Sequence, residues 1–103
     1  MRTPQELERG LAAPETLGLN SRVEIREAAK HLLAELPTGT GRLVIDLSAT
    51  RTIDSAGLGA LMLIQRMAAE RRQTVALHAP SEEIRFLLVL TKLADLFEID
   101  PAP

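Results

Sequence analysis

The chain has 103 residues, enough for one domain with a buried core and too few for two. Hydrophobic residues make up 46% of it and aromatic residues only 2%, so its core has to be built from aliphatic side chains. A net charge of -2 and the scarcity of aromatic rings argue against nucleic-acid binding, and the lack of Cys excludes disulfides. Because no apolar run is long enough to span a membrane and no secretory signal is present, we expect a cytoplasmic protein.

The first 20 residues carry a weak structural pattern. The run TPQELERG predicts a short helix with Thr3 as its N-cap and Gly10 at its end. Leu11 to Leu19 contains Pro14 and Gly18, which predicts an edge strand followed by a turn.

From residue 21 onwards, helical and extended patterns alternate. A capping box of Ser21 and Glu24 precedes an amphipathic helix that reaches Leu36. The predicted strands are Arg42 to Leu47, apolar on successive positions as expected for burial on both faces, then Thr74 to Leu77 and Phe97 to Ile99. The other predicted helices run from Ser55 or Ala56 to about Arg71, and from Ile84 to about Leu90 after a Ser81 cap. This alternation predicts a single α/β domain with a largely parallel sheet.

The stretch LVIDLSATRTIDSAGLGAL, from Leu43 to Leu61, is the best candidate for a functional site. It places Ser55 where a strand meets a helix, as in serine hydrolases. However, Ile53 stands where the G-x-S-x-G motif requires glycine, and neither His31 nor His78 lies in a pattern that indicates a catalytic triad. We therefore expect no enzymatic activity.

Two other kinds of site are poorly supported. Gly57 and Gly59 suggest a phosphate-binding loop, but Met62 stands where a dinucleotide fingerprint has its third glycine. Asp46 and Asp54 are candidates for a Mg²⁺ site, although a carboxylate that accepts hydrogen bonds from backbone amides is the more common role for Asp46. The sequence predicts no cofactor and no metal.

Ser55 has two roles compatible with its position. It can cap the following helix, with Asp54 adding charge that favours the positive helix end. It can also present its hydroxyl to solvent as a phosphate acceptor, where a phosphoryl group would add nearly two negative charges beside Asp54.

The motif DSAGLG after an apolar strand ending in DLS, together with the downstream run TVALHAPSEEIRFLLVLTKLADLFEI, resembles a STAS domain of the anti-sigma factor antagonist type. The resemblance spans about residues 14–99 of a single domain, 1–103. It implies a mostly parallel sheet of about four strands with helices packed against it. It also implies that Ser55 is phosphorylated by a partner anti-sigma factor that is itself a serine kinase and binds the ATP. Only the unphosphorylated domain would bind this partner and so free the sigma factor.

Two departures from the family pattern affect these expectations. Only APETLGL fits one of the two strands that usually precede the first helix, so we expect a shortened N-terminal strand region and an atypical segment over residues 1–10. Ala56 replaces the second Ser of the commoner pair, which leaves Ser55 as the phosphoacceptor.

The second predicted helix has an apolar arc wider than one packing face needs. Leu58, Leu61, Met62 and Gln65 can face the sheet, whereas Leu63, Ile64 and Met67 fall partly on other sides. These three either lie beneath a neighbouring helix or form a docking face for the kinase or a second copy of the chain. The predicted partner-binding residues are Asp54, Ser55, Ala56, Gly57, Leu58, Gly59, Leu63 and Met67.

A different function is compatible with the same resemblance. The alternative prediction is a STAS accessory or scaffold subunit of a lipid ABC transporter or of another multi-protein assembly, without a phosphoswitch. In that role Ser55 would only cap its helix, and no kinase would be needed.

Overall fold

The computed structural model describes residues 7–100, and these form an alternating α/β chain. Leu7 is helical, and two strands, β1 (Glu8–Ala12) and β2 (Thr16–Leu17), lie between it and the helix that begins at Arg22. The elements that follow are α1 (Arg22–Glu35), β3 (Arg42–Asp46), β4 (Thr52–Ile53), α2 (Ser55–Glu70), β5 (Thr74–His78), α3 (Glu82–Leu90), a 3-10 helix (Ala94–Leu96) and β6 (Glu98–Asp100).

A four-stranded sheet in the order β1-β3-β5-β6 forms the centre of the fold. A separate two-stranded ribbon pairs β2 with β4, and every strand pairing within residues 7–100 is parallel. The predicted α/β fold with a mostly parallel sheet of about four strands is thus confirmed. The ribbon was not predicted, and it brings the residues after β2 next to the start of α2.

Helices α1 and α2 pack against one face of this sheet. Along β3, Leu43 and Ile45 are fully buried, whereas Val44 between them is only half-buried, which is the two-residue period of a strand with one covered face. The prediction that β3 is buried on both faces is therefore wrong, because the helices of the described chain share one core cluster on a single side. The helical side chains in that core are Ile25, Ala29, Leu33, Ala60, Leu61, Ile64, Ala68, Ile84 and Leu88.

The other face of the sheet carries a charge network centred on Arg42. Its guanidinium pairs with Glu8 of β1, with Glu98 at 3.1 Å and with Asp100 of β6 at 3.0 Å. Because β5 lies between β3 and β6, the Arg42 side chain has to cross β5, where the small side chain of Ala76 is fully buried. One side chain thus connects three strands of the sheet.

The strand β1 corrects the end of the helix predicted for TPQELERG, since Leu7 is helical but residues 8–10 are extended. Residues 1–6, including the Thr3 cap, lie outside the described residues, but β1 pairs with β3 along its whole length, from Glu8 opposite Arg42 to Ala12 opposite Asp46. The region before α1 is therefore not shortened to a single strand. From Glu8 onwards, pairing with β3 overrides a local pattern that favours a helix.

The start of α1 also differs from its prediction. Ser21 occupies the N-cap position but makes no side-chain capping bond, so the predicted capping box is wrong. Its hydroxyl instead accepts the Gly18 N–H at 3.0 Å and donates to the Thr16 carbonyl at 3.0 Å. These two bonds hold the turn between β2 and α1. By contrast, the predicted Ser81 cap of α3 is confirmed, since its hydroxyl accepts the Ile84 N–H at 3.2 Å.

The far end of α1 is held by a buried side chain from another part of the chain. Gln73, between α2 and β5, donates its Nε2 to the carbonyls of Leu33 at 2.9 Å and Leu36 at 3.0 Å. Carbonyls in the last turn of a helix often lack intrahelical partners. The Leu33 carbonyl also accepts the Leu36 N–H at 3.2 Å, whereas the Gln73 amide is the donor that satisfies the buried Leu36 carbonyl. Gln73 thereby fixes α1 against α2, and these two helices form the candidate site.

Candidate functional site

Ser55 is the first residue of α2 and lies directly after the short ribbon strand β4. Its side chain is exposed, and its hydroxyl makes no hydrogen bond within residues 7–100. Asp54, one residue earlier, holds the N-cap position. The interpretation of Ser55 as the helix cap is therefore wrong, and its hydroxyl has no structural role in the described part of the chain.

The Asp54 carboxylate joins two parts of the site. Its Oδ1 accepts the Gly57 N–H at 2.9 Å, which caps α2, and its Oδ2 accepts the Leu19 N–H at 3.2 Å from the turn before α1. These backbone bonds, that from Gly57 first and that from Leu19 second, lower the pKa of the Asp54 carboxyl below its ordinary value. Asp54 therefore carries a fixed negative charge beside the Ser55 hydroxyl at neutral pH.

Gly57 allows the backbone of α2 to approach the β2 strand closely. A Cβ at this position would lie 2.1 Å from the Leu17 carbonyl oxygen, closer than any real contact. The same carbonyl accepts the Asp54 N–H at 3.2 Å. Gly59 is different, because a Cβ there would meet no heavy atom within 4 Å. Only Gly57, of the two, is required by the packing.

A groove of about 410 Å³ opens beside Ser55, between α1 and α2. Two arginines of α1, Arg22 and Arg26, and Arg66 of α2 line this arginine groove. Within residues 7–100 none of the three has a carboxylate within the 4.0 Å of an ion pair. The remaining lining residues are Ser55, Ala56, Gly59, Ala60, Met62 and Leu63. The groove thus combines a positively charged rim with a floor of small and apolar side chains.

Comparison with known proteins identifies the family of this chain. A family model described as "Mlab, STAS domain" (STAS_2) matches residues 10–98, most of the chain. The chain belongs to the STAS_2 family. The match begins within β1, an edge strand of which only Leu11 and Ala12 fall in the edge strand predicted from the sequence.

Solved structures of anti-sigma factor antagonists share the fold of this STAS domain. A protein of Thermotoga maritima, described as a candidate anti-sigma factor antagonist, matches with a TM-score of 0.76 at 23% identity, over 90% of this chain and 78% of that one. The anti-sigma factor antagonist SpoIIAA in its unphosphorylated form matches with a TM-score of 0.71 at 15% identity, over 100% of this chain and 86% of that one. At these identities the likeness establishes the fold.

The residues predicted to bind a partner divide into two groups in this STAS domain. Asp54, Ser55 and Leu63 are exposed, and the half-buried Ala56 and Gly59 line the arginine groove with Ser55 and Leu63. The second group faces inward. Gly57 is buried against β2, and Leu58 and Met67 pack against the core.

The sequence pattern misassigned two side chains of α2 and did not identify the arginines. Met62, predicted to face the sheet, is 43% exposed, whereas Ile64, predicted to lie partly on another side, is fully buried. The spacing of Ser55, Gly59, Met62 and Arg66 is the signal that was available, since intervals of three and four residues place them on one helix face. Nothing in the sequence pairs that face with Arg22 and Arg26.

Other features of the described residues lie away from Ser55. Asp46 accepts the Ser48 N–H at 2.9 Å, which confirms its predicted role as a carboxylate bonded to the backbone. Among residues 7–100, no three potential metal ligands lie close enough to hold an ion, and no helix is long and apolar enough to cross a bilayer.

Helix α3 carries an exposed apolar patch that was not predicted. It consists of Phe86, Val89 and Leu90, each more than 60% exposed.

Proposed function

We propose that this STAS domain is an anti-sigma factor antagonist, a non-enzymatic binding module controlled by phosphorylation of Ser55. The exposed and unbonded hydroxyl of Ser55, at the mouth of the arginine groove, is the observation that carries this proposal. In its unphosphorylated form the domain binds an anti-sigma factor serine kinase in the cytoplasm and thereby releases the sigma factor. The partner surface comprises the exposed residues around Ser55, with Asp54 and Leu63 among them.

Ser55 acts as the substrate of this reaction and not as its catalyst. Its Oγ forms a bond to the γ-phosphorus of ATP held by the kinase, the bond to the bridging oxygen breaks, and ADP leaves while the hydroxyl proton passes to a base of the kinase. Neither histidine of the chain supports a nucleophilic Ser55, because His31 pairs with Glu35 at 3.3 Å and His78 lies beside Asp46 on the open sheet face. This arrangement favours a phosphoacceptor.

Phosphorylation would change the binding surface more than the fold. The phosphoryl group adds nearly two negative charges next to the fixed charge of Asp54. Placed in an interface, those charges would have to be desolvated or paired by the partner, which weakens binding. Because the Ser55 hydroxyl forms no bond in residues 7–100, its modification breaks none of the contacts described there.

The test is intact-mass analysis after incubation with ATP and each purified anti-sigma factor serine kinase from the same genome. We expect one phosphoryl group on the wild type and on the Ser48→Ala control, and none on Ser55→Ala. Calorimetry should show that Ser55→Asp weakens kinase binding more than tenfold, about 1.4 kcal/mol. Lack of labelling by every kinase, or an unchanged affinity of the Asp variant, would contradict the proposal.

A second candidate function is that of a STAS accessory subunit of a lipid ABC transporter. The description of the matching family favours it, since that description names Mlab and no antagonist. In this role the exposed Met62 and Leu63 would contact the transporter ATPase permanently, and Ser55 would stay unmodified. Co-purification with an ABC ATPase, with affinity unaffected by Ser55→Asp, would favour this candidate over the antagonist.

A further inference from the structure

The phosphoryl group that the proposed function places on Ser55 would meet an electrostatic problem at its own position. Asp54 already carries a fixed negative charge, and its Oδ1 takes the Gly57 amide at the start of α2. The helix N-terminus is therefore partly occupied by the Asp54 carboxylate. The negative charge of this carboxylate repels the phosphoryl group and raises the energy of the phosphorylated state. A phosphorylated Ser55 needs another source of positive charge to be stable in this place.

The arginine groove supplies that charge. Arg22, Arg26 and Arg66 line the same groove as Ser55, and within residues 7–100 none of them has a carboxylate within 4.0 Å, although Arg22 is near enough to Asp54 to contribute to the lowered pKa of its carboxyl. Arginine is the side chain best suited to phosphate, because its planar guanidinium can donate two parallel hydrogen bonds to two phosphate oxygens.

The groove also has room for the added group. Its volume of about 410 Å³ is many times the ~30 Å³ that a water molecule occupies in the liquid. Its floor next to Ser55 is made of small residues, Ala56, Gly59 and Ala60, and a Cβ added at Gly59 would still meet nothing within 4 Å. These small side chains leave open space beside Ser55 for a phosphoryl group.

We infer that the arginine groove is the binding site for the phosphoryl group of phosphorylated Ser55, held by Arg22, Arg26 and Arg66. This inference rests on the proposed phosphorylation of Ser55. Bound there, the nearly two negative charges of the phosphoryl group offset most of the three positive charges of the rim and fill the floor of the groove. Phosphorylation then removes a positively charged groove that the unphosphorylated domain offers to a partner.

The experiment uses the full chain with phosphoserine incorporated at position 55 by genetic code expansion, so it needs no kinase. A ³¹P NMR titration measures the second pKa of the phosphoryl group, which is about 6 in an unconstrained phosphoserine. We expect a value lower by about half a unit or more in the folded protein than in the same protein unfolded in urea. Arg26→Gln and Arg66→Gln should each move it back towards the unfolded value, whereas Arg85→Gln, on the exposed side of α3, should not.

The arginine variants separate this inference from simpler explanations. A lowered pKa that persists in all of Arg22→Gln, Arg26→Gln and Arg66→Gln would assign the effect to the α2 amides and overturn the inference. If the pKa is unshifted but these variants weaken binding of the unphosphorylated chain to its kinase, the groove binds an acidic segment of the partner instead, which also overturns it. Should a Gln variant fail to fold by circular dichroism, the matching Lys variant keeps the charge without the bidentate geometry and should restore only part of the shift.

This inference and the proposed function fail in different measurements. Labelling of Ser55 by a kinase without any shift in the ³¹P titration would leave the antagonist function intact and refute the role of the arginines. In the opposite case, the pKa is lowered in the folded protein and moves back towards the unfolded value in the arginine variants, but no kinase labels Ser55. That result would support the groove as a phosphoryl site and refute the antagonist function.

Discussion

Replacement of Gly57 by Ala tests the close approach that positions Ser55. The added Cβ would lie 2.1 Å from the Leu17 carbonyl oxygen, whereas ordinary contact begins at 3.4 Å, so β2 and α2 would have to separate by about 1.3 Å. The same movement would stretch the hydrogen bond between the Asp54 N–H and the Leu17 carbonyl, now 3.2 Å, beyond bonding distance.

The expected loss follows from three contributions to the free energy of unfolding. Overpacking costs about 1–3 kcal/mol, and the lost hydrogen bond about 1 kcal/mol. The higher helix propensity of Ala offsets about 1 kcal/mol of this. We therefore expect Gly57→Ala to lower the free energy of unfolding by about 1–3 kcal/mol, which lowers Tm by roughly 5–20 °C in a domain of this size.

Gly59→Ala is the matched control, because its Cβ meets no heavy atom within 4 Å in the same helix. With no clash, Ala at this position should raise the free energy of unfolding by about 0.5–1 kcal/mol. Urea and thermal unfolding would be followed by far-UV circular dichroism, since the chain has no Trp or Tyr for fluorescence. The reasoning is refuted if the two variants change stability by the same amount and in the same direction.

Three further contacts lead to measurable outcomes. Gln73→Met leaves the Leu36 carbonyl buried without a donor and the Leu33 carbonyl with only the Leu36 N–H, and urea unfolding should show a loss of about 1–3 kcal/mol; no loss would mean that water replaces the amide. Arg42→Gln removes three ion pairs and should speed amide hydrogen exchange in β1 and β6 but not in α1; equal exchange in all three elements would contradict the role of the network. Because the pKa of Asp54 is lowered in the folded state, its contribution to stability is present above about pH 4 and lost as the pH falls through the folded pKa. Asp54→Asn should flatten the decline in stability below pH 4, and an unchanged pH profile would show that the carboxylate contributes nothing.

Local chemistry explains the parts of the fold that the sequence predicted well. The Ser81 cap, the backbone-bonded Asp46 and the alternation of helices with strands each depend on a few neighbouring residues, and the structure confirms them. The strand β1 depends instead on a partner more than 30 residues away. Its first three residues, Glu8 to Gly10, lie outside the predicted edge strand, and they are held by pairing with β3 and by the ion pair between Glu8 and Arg42.

In the candidate site, too, features set by neighbouring residues could be predicted and features set by distant contacts could not. The position of Ser55 at a strand-to-helix junction could be predicted, because DSAGLG is a contiguous motif. The identity of the cap could not, since both Asp54 and Ser55 are good capping residues and only the bond to Gly57 distinguishes them. The arginine groove could not be predicted either, because Arg22 and Arg66 lie 44 residues apart and meet only through the packing of α1 on α2.

The charge network on the open sheet face restricts how this domain can assemble. Arg42 and its three carboxylate partners lie side by side on a surface that would otherwise accept a second apolar layer. Covering these charges with an apolar surface would remove their water without offering new partners, at a cost of several kcal/mol for each ion. That face is therefore unsuited to stacking against an apolar surface, whereas the helical side carries Ser55 and the exposed apolar side chains Met62 and Leu63.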